Sequence, residues 1–406
     1  MKITYKGHTV NFGSFRRHLT LCNAYTLLWC MYFAQYTLQI GETIISQMIL
    51  AVNLLISLFL FVKCMLQGRL PLVLKVLALL VLVFTVYGMQ IILAGETFYI
   101  ELTGTVMPSF SYIRAIYISV LPIFAYYFFA RKGQLTEHSL RMWVPVFFVV
   151  SLLIFQENIM KRLEYSTSDE GMTNNAGYLF LALMPSLVFY NRKPIIQYTL
   201  LLLLIVMMLV SVKKGAIIIG VLSSAWFLFN QYKIMTRRQK LILTGFCVCF
   251  VAFFVYIFSM MLATDTFFLK RFLEFSDGNA SRRDVIYITL WQHFINDDNP
   301  LHLLFGNGAY HTLRISENLA HNDWLEILLN QGIFGVIIYA AYWVLFGMYL
   351  FKVKRVDAQL YSSLGMLFII YFLRTFFSMS YADIAFCVSP VFGFCFALSY
   401  KKLHQQ

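Results

Sequence analysis

A single histidine, His321, stands where a side chain could accept a proton during a reaction. It lies in the polar run Ala320–Glu326, which continues through Asn330–Gly335 into a long apolar segment, so we expect His321 near the N-terminus of a helix. A neutral imidazole in that position can take a proton from a hydroxyl nucleophile. A lone loop histidine is also commonly solvated without a catalytic role, and the residue by itself leaves both interpretations open.

Three cationic side chains occupy positions where a basic residue is unexpected. Lys213 and Lys214 lie in the tight turn Ser211–Gly215 between two apolar segments, and Arg374 lies inside a third. Lysines in such a turn either bind an anionic group or extend towards lipid headgroups. A charge within an apolar span is costly, so Arg374 is either part of a functional cavity or paired with Asp383. We expect Arg374 to contribute to the same cavity as the turn.

The sequence offers only weak candidates for a metal or nucleotide site. Asp297 and Asp298 resemble a divalent-cation pair but lack a third oxygen ligand at a suitable spacing. His293, His302 and His311 are scattered without the spacing of a zinc site. No glycine-rich loop of the P-loop type occurs in the sequence, which leaves ATP-driven transport without support. We therefore expect neither a metal nor a cofactor.

Composition predicts the elements that must position these residues. Of the 406 residues, 60% are hydrophobic and only 13% are charged, whereas soluble domains average roughly 45–50% apolar and about 25% charged residues. These values exclude a soluble enzyme, and unbroken apolar runs of about twenty residues exclude a transmembrane β-barrel. A net charge of +13 would suggest nucleic acid in a soluble protein, but here we expect no such partner. The sequence predicts an all-α polytopic membrane protein.

A helix of about 20 apolar residues crosses the hydrocarbon core of a bilayer. By this measure the sequence contains about twelve spans and one large polar loop. We divide the chain into an N-terminal bundle of about nine spans (1–263), the loop with the candidate motif (264–331) and about three C-terminal spans (332–406). The predicted spans lie near residues 19–39, 44–62, 72–94, 113–130, 143–157, 176–190, 195–212, 215–232, 241–263, 332–351, 359–379 and 382–399.

The distribution of basic residues predicts the orientation. If the N-terminus is cytoplasmic, most lysines and arginines fall on the cytoplasmic side, and only Glu137 and Asp357 join them among the acidic residues. This separation follows the positive-inside rule. We therefore expect both termini in the cytoplasm and the large polar loop outside, which places the turn with Lys213 and Lys214 at the outer face.

The residues from Ser281 to Gly335 carry a family resemblance. The order of residue types there is an arginine, aromatic residues, a proline, Gly-x-Gly and then His-Asn-x-x-Leu with two later glycines. This order resembles the C-terminal signature of the O-antigen ligase and repeat-unit polymerase superfamily (Wzy-like). Lys214 and Gly215 are similar to a second motif, in which the basic residue is more usually arginine. The signature positions are Arg283, Tyr287, Trp291, Pro300, Gly306, Gly308, His321, Asn322, Leu325, Gly332 and Gly335. Arg282 competes with Arg283 for the motif arginine.

The resemblance implies a GT-C-like membrane glycosyltransferase that uses an oligosaccharide linked to undecaprenyl diphosphate. An acceptor hydroxyl would attack the anomeric carbon and invert it, with His321 as the base. Lys214 and an arginine, Arg283 or Arg282, would neutralise the departing diphosphate without a metal. Arg374 could reach the same diphosphate from its span.

The function expected first is a bacterial inner-membrane polysaccharide polymerase for O-antigen, capsule or exopolysaccharide. Its partners would be the lipid-linked oligosaccharide, a glycan acceptor, the bilayer and a chain-length regulator. An O-antigen ligase acting on lipid A-core is the alternative, because the motif serves both reactions. A lipid-linked oligosaccharide flippase or other transporter is the alternative of a different class. Transporters place ionisable residues near the bilayer midplane and often contain inverted repeats, and the sequence shows no internal repeat.

Overall fold

The computed structural model describes residues 2–5, 8–11, 20–37, 43–100, 105–165, 175–211, 213–264, 283–316, 318–378, 380–381 and 383–405. Arg282, one of the predicted site residues, lies outside these ranges. The described residues are mostly helical, with two short antiparallel pairs of strands, Lys2–Tyr5 with His8–Asn11 and Phe98–Ile100 with Thr105–Met107.

The strands and helices of the described residues have the following bounds. The strands are β1 Lys2–Tyr5, β2 His8–Asn11, β3 Phe98–Ile100 and β4 Thr105–Met107. The first nine helices are α1 Leu21–Thr37, α2 Ile44–Leu66, α3 Leu72–Ala94, α4 Ser111–Arg131, α5 Glu137–Tyr165, α6 Gly177–Leu183, α7 Pro194–Val210, α8 Lys214–Ile234 and α9 Arg237–Thr264. The remaining helices are α10 Arg283–Ile295, α11 Pro300–Phe305, α12 His311–Ser316, α13 Asp323–Lys354, α14 Ala358–Phe377 and α15 Ser389–Leu403.

Seven helices among the described residues are long and apolar enough to cross a membrane, which identifies an all-α protein of the multi-pass membrane class. They are α2, α3, α4, the first part of α5, α8, α13 and α14. The number differs from the expected twelve because several predicted ranges form shorter helices. The range near 176–190 changes from α-helix to 3-10 helix at Met184, beside Pro185. The last range begins its helix only at Ser389, so α15 has 15 residues.

Helices α8 and α14 pack side by side in opposite directions. The indole of Trp226 in α8 lies against Gly365 in α14, where a Cβ atom would come within 2.5 Å of the ring. The same indole donates a hydrogen bond to the carbonyl oxygen of Ser362, at 3.1 Å. Small residues allow such close helix contacts inside a bilayer. The start of α8 and the end of α14 consequently lie together, and we call this end of the molecule the site end.

The polar segment before α13 is folded onto the site end. Helix α13 begins at Asp323, nine residues earlier than the expected boundary at Gly332, and Gly332 interrupts its helical geometry with φ 69°. A Cβ atom on Gly332 would lie 2.5 Å from the backbone nitrogen of Gly306. The two glycines therefore allow the turn after α11 to lie directly on the bend in α13. This contact positions the segment that carries His321.

Candidate functional site

His321 precedes the first turn of α13 and is fixed by its neighbours. Asn322 caps the helix, and its side chain accepts hydrogen bonds from the backbone amides of Trp324 and Leu325 at 2.9 and 3.2 Å. The backbone of His321 adopts φ 52°, an uncommon conformation for a residue other than glycine. The hydroxyl of Tyr287 donates to the carbonyl oxygen of His321 at 3.5 Å. The expected location at a helix N-terminus is thus confirmed.

The surroundings of His321 favour its neutral form. Burial of the imidazole, followed by the positive charges of Arg283 and Lys213, lowers the pKa of His321 to about 4. A histidine with this pKa is unprotonated at neutral pH and has a nitrogen available to accept a proton. The charges that act on His321 thus come from Lys213, directly before α8, and from Arg283, the first residue of α10.

Arg283 begins α10 and contacts the end of α14. Its Nη1 atom donates a hydrogen bond to the carbonyl oxygen of Phe377 at 2.9 Å. Trp324 of α13 joins the same end of α14, because its indole donates to Thr375 Oγ1 at 2.9 Å. These contacts bring Arg283 and His321, which are distant along the chain, to the site end.

Arg374 is buried in α14 and paired with Asp383. Its Nη2 atom lies 2.6 Å from Asp383 Oδ2, and its Nη1 atom donates to the carbonyl oxygen of Asp383 at 3.0 Å. The Arg374 side chain is 1% exposed, whereas that of Asp383 is 68% exposed. Arg374 therefore lies inside the protein. The pairing with Asp383 that the sequence left open is present.

Tyr178 connects Arg374 with the turn before α8. The Arg374 guanidinium lies 4.4 Å from the centroid of the Tyr178 ring, and the Lys213 ammonium lies 5.7 Å from it. Lys213 immediately precedes α8, and Lys214 is the first residue of that helix. Sequence reasoning missed Tyr178, because nothing distinguishes it from the other aromatic residues of an apolar segment.

Two buried acids on the first turn of α13 support the site. Asp323 accepts hydrogen bonds from the Ser380 amide at 2.8 Å and from the Tyr339 hydroxyl at 2.5 Å. Glu326 accepts from the Ala320 amide at 2.9 Å, directly before His321. Both carboxylates are fully buried. Their spacing of three residues, which is visible in the sequence, places them on one helix face.

The scattered histidines of the polar segment lie closer together than their spacing suggested. The Nε2 atoms of His293 and His311 are 3.1 Å apart, and His302 Nδ1 lies 3.1 Å from Asp297 Oδ2. Burial, followed by the positive charge of neighbouring His293, lowers the pKa of His311 to about 4. Within the described ranges, no group of three histidine, cysteine or acidic side chains could hold a metal ion.

An apolar groove of ≈ 620 Å³ lies between α8 and α14. It begins at Leu373, next to Arg374 in the chain. The groove is lined by Leu222, Ala225, Trp226, Phe229, Phe368, Ile369, Phe372 and Leu373. Its lining is entirely apolar, which suits a hydrocarbon chain.

Fold and site together define an all-α protein of the multi-pass membrane class, with a neutral histidine and several cations at one end. No protein-family model and no curated protein matches the chain. The superfamily resemblance therefore stays a prediction carried by the residues named above.

Proposed function

We propose that the protein is a polysaccharide polymerase that transfers oligosaccharide units from undecaprenyl diphosphate to a growing glycan. The observation that carries the proposal is the convergence of His321 with Lys213, Arg283 and Arg374 at the site end. Glycosyl transfer from a lipid diphosphate needs a proton acceptor for the attacking hydroxyl and positive charge for the leaving group. These residues provide both in one place.

In the proposed reaction, the acceptor hydroxyl attacks the anomeric carbon from the side opposite the diphosphate. The new glycosidic C–O bond forms as the bond from the anomeric carbon to the diphosphate oxygen breaks, which inverts the anomeric configuration. His321 takes the hydroxyl proton, and the bonding electrons leave with the diphosphate. Lys214, Arg283 and Arg374 stabilise the negative charge that develops there, so that side chains perform the neutralisation without a metal.

The apolar groove supports a lipid-linked donor. A polyprenyl chain is a single hydrocarbon chain, and a groove between two helices can hold one chain while the headgroup stays at the membrane surface. Leu373 of the groove directly precedes Arg374 in the chain, and this proximity supports a donor whose diphosphate lies towards the site end. We propose that this chain-binding groove and the site end belong to one donor site.

We place the protein in the bacterial inner membrane, with the site end at the outer face and both termini in the cytoplasm. The charge separation in the sequence supports this orientation. The helices too short to meet the spanning criterion would complete about twelve spans in a GT-C-like arrangement. A ligase would use the same site with lipid A-core as the acceptor.

The test uses purified protein in proteoliposomes that contain undecaprenyl-diphosphate-linked repeat units. We expect His321→Ala to abolish the polymer ladder while the amount of inserted protein stays normal. His404→Ala is the matched control, because His404 is an exposed histidine after α15. Ladders of normal length from His321→Ala would refute the base assignment. Transfer by the wild type to lipid A-core alone would identify a ligase instead.

A further inference from the structure

We infer that Lys213 is a phosphate-binding residue of the site and that Tyr178 positions its ammonium group. The inference rests on the proposed function, because the phosphate belongs to the lipid diphosphate donor. It differs from the motif assignment, which gives the basic residue of the turn as Lys214.

The two lysines of the turn differ in backbone conformation. Lys213 has extended geometry with φ −88° and ψ 100°, whereas Lys214 starts the helical part of α8. The Lys213 ammonium lies 5.7 Å from the Tyr178 ring centroid. A cation at this distance from an aromatic face is attracted by the ring quadrupole. Tyr178 thereby restricts where the long lysine side chain can place its charge.

Tyr178 is itself held by packing on several sides. It is 4% exposed, and the Arg374 guanidinium lies 4.4 Å from its ring centroid. A Cβ atom on Gly215 would lie 2.5 Å from the Tyr178 hydroxyl oxygen, so only glycine allows the first turn of α8 to approach this closely. The ring therefore fixes the turn and the buried arginine relative to each other. The cation of the turn, Lys213, and the cation of α14, Arg374, therefore both lie against the Tyr178 ring.

The location of Lys213 also fits the chemistry of the leaving group. Its positive charge contributes to the lowered pKa of His321, as does that of Arg283. The ammonium is consequently close enough to influence the proposed base. A phosphate held by Lys213 and Arg283 would lie beside the base that receives the acceptor proton. This proximity is what a single displacement requires of its base and its leaving-group site.

The experiment measures binding of sugar-free undecaprenyl diphosphate to the purified full-length protein by native mass spectrometry. We expect Lys213→Gln to weaken binding about tenfold or more, because a charged contact to phosphate is lost. Lys213→Arg should retain binding. Lys63→Gln is the matched control, since Lys63 lies 5.1 Å from the Phe128 ring at the opposite end of the molecule. Its binding should equal that of the wild type.

Variants of Tyr178 test whether its aromatic ring, and not its hydroxyl group, positions Lys213. Tyr178→Leu should weaken binding of the lipid diphosphate as Lys213→Gln does. Tyr178→Phe should retain most of the wild-type binding, because phenylalanine keeps the aromatic face. A pH profile adds a readout that general damage to the fold would not produce. Lys213→Gln removes a positive charge near His321, so the acid limit of transfer should move to higher pH.

Each outcome decides a different statement. If the wild type fails to bind the lipid diphosphate, the proposed function and the inference both fall. If the wild type binds and Lys213→Gln binds equally well with an unchanged pH profile, the inference falls while the proposed function stands. Equal loss of binding in Tyr178→Phe and Tyr178→Leu would overturn the positioning role of the ring.

Discussion

The neutral state of His321 leads to a prediction about the acid limit of the reaction. Burial and two nearby cations lower the pKa of His321 from 6.5 to about 4. A base must be unprotonated to accept the acceptor's proton. We therefore expect transfer to continue at pH values at which an ordinary histidine would already be protonated.

The magnitude follows from the two pKa values. At pH 5.5, about 97% of His321 is neutral with a pKa of about 4, against about 9% with a pKa of 6.5, a difference of roughly tenfold in active base. The same difference in pKa corresponds to about 3 kcal/mol in favour of the neutral form. The unfolded chain binds this proton more readily than the folded protein does. The neutral, buried His321 therefore contributes its full share of folding stability above pH 6.5, and this share is lost as the pH falls towards 4.

The assay follows initial rates of glycan transfer in proteoliposomes from pH 4 to pH 8, at saturating donor and acceptor. The wild type should keep nearly its full rate at pH 5.5. Arg283→Gln is the informative variant, because removing that charge should raise the pKa of His321 and move the acid limit of its residual rate upward. A wild-type rate that falls by half near pH 6.5 would refute the reasoning. An acid limit that does not respond to Arg283→Gln would show that the charge does not act on the base.

Two further predictions concern packing and the groove. Gly332→Ala should strongly lower the free energy of unfolding, because the backbone has φ 69° and the new Cβ would meet Gly306; Gly68→Ala, with φ 62° and open space around it, should cost only about 1 kcal/mol. Thermal unfolding in detergent compares the two. Ala225→Trp should fill the groove and weaken use of long-chain donors but spare a short-chain donor, whereas Val221→Trp, exposed on the same helix outside the groove, should spare both.

The sequence predicted the helical membrane class and some individual helices closely, because hydropathy depends on local composition, but seven candidate spans among the described residues stand against the expected twelve. The range 72–94 coincides with the helix Leu72–Ala94, which begins after Pro71. The same reasoning did not find the change to 3-10 helix at Met184, because hydropathy does not distinguish an α-helix from a 3-10 helix. It also began the tenth span at residue 332, nine residues after the helix starts at Asp323, because Asp323 and Glu326 are charged residues that tertiary contacts bury.

The candidate site could be predicted only in part for the same physical reason. The types of His321, Lys214 and Arg374 were unusual for their surroundings, and that made each a candidate. Tyr178 and the geometry of Lys213 become visible only when α6, α8 and α14 are packed together, because their contacts join residues far apart in the chain. A sequence pattern indicates that a charged residue is energetically unfavourable in an apolar segment. Which side chain offsets that free energy depends on the tertiary contacts.

The Arg374–Asp383 pair allows a last prediction, which tests whether the buried cation also binds substrate. The guanidinium is almost completely buried, but its carboxylate partner is 68% exposed. Removing Asp383 leaves a buried charge without this partner, which is strongly destabilising, whereas removing Arg374 leaves a carboxylate that water already solvates. We therefore expect Asp383→Asn to lower the unfolding temperature more than Arg374→Met, in which methionine fills much of the arginine volume.

If an anionic headgroup can take the place of Asp383, added undecaprenyl diphosphate should restore the unfolding temperature of Asp383→Asn and leave that of Arg374→Met unchanged, because only the former keeps the guanidinium. Arg374→Met should also lose transfer activity at normal protein abundance. If the variant that combines Arg374→Met with Asp383→Asn instead has normal abundance and full activity, the pair is structural and Arg374 takes no part in the reaction. The burial of Arg374 beside the exposed Asp383 would then be explained by folding alone, and the positive charge for the leaving group would come from Lys213, Lys214 and Arg283.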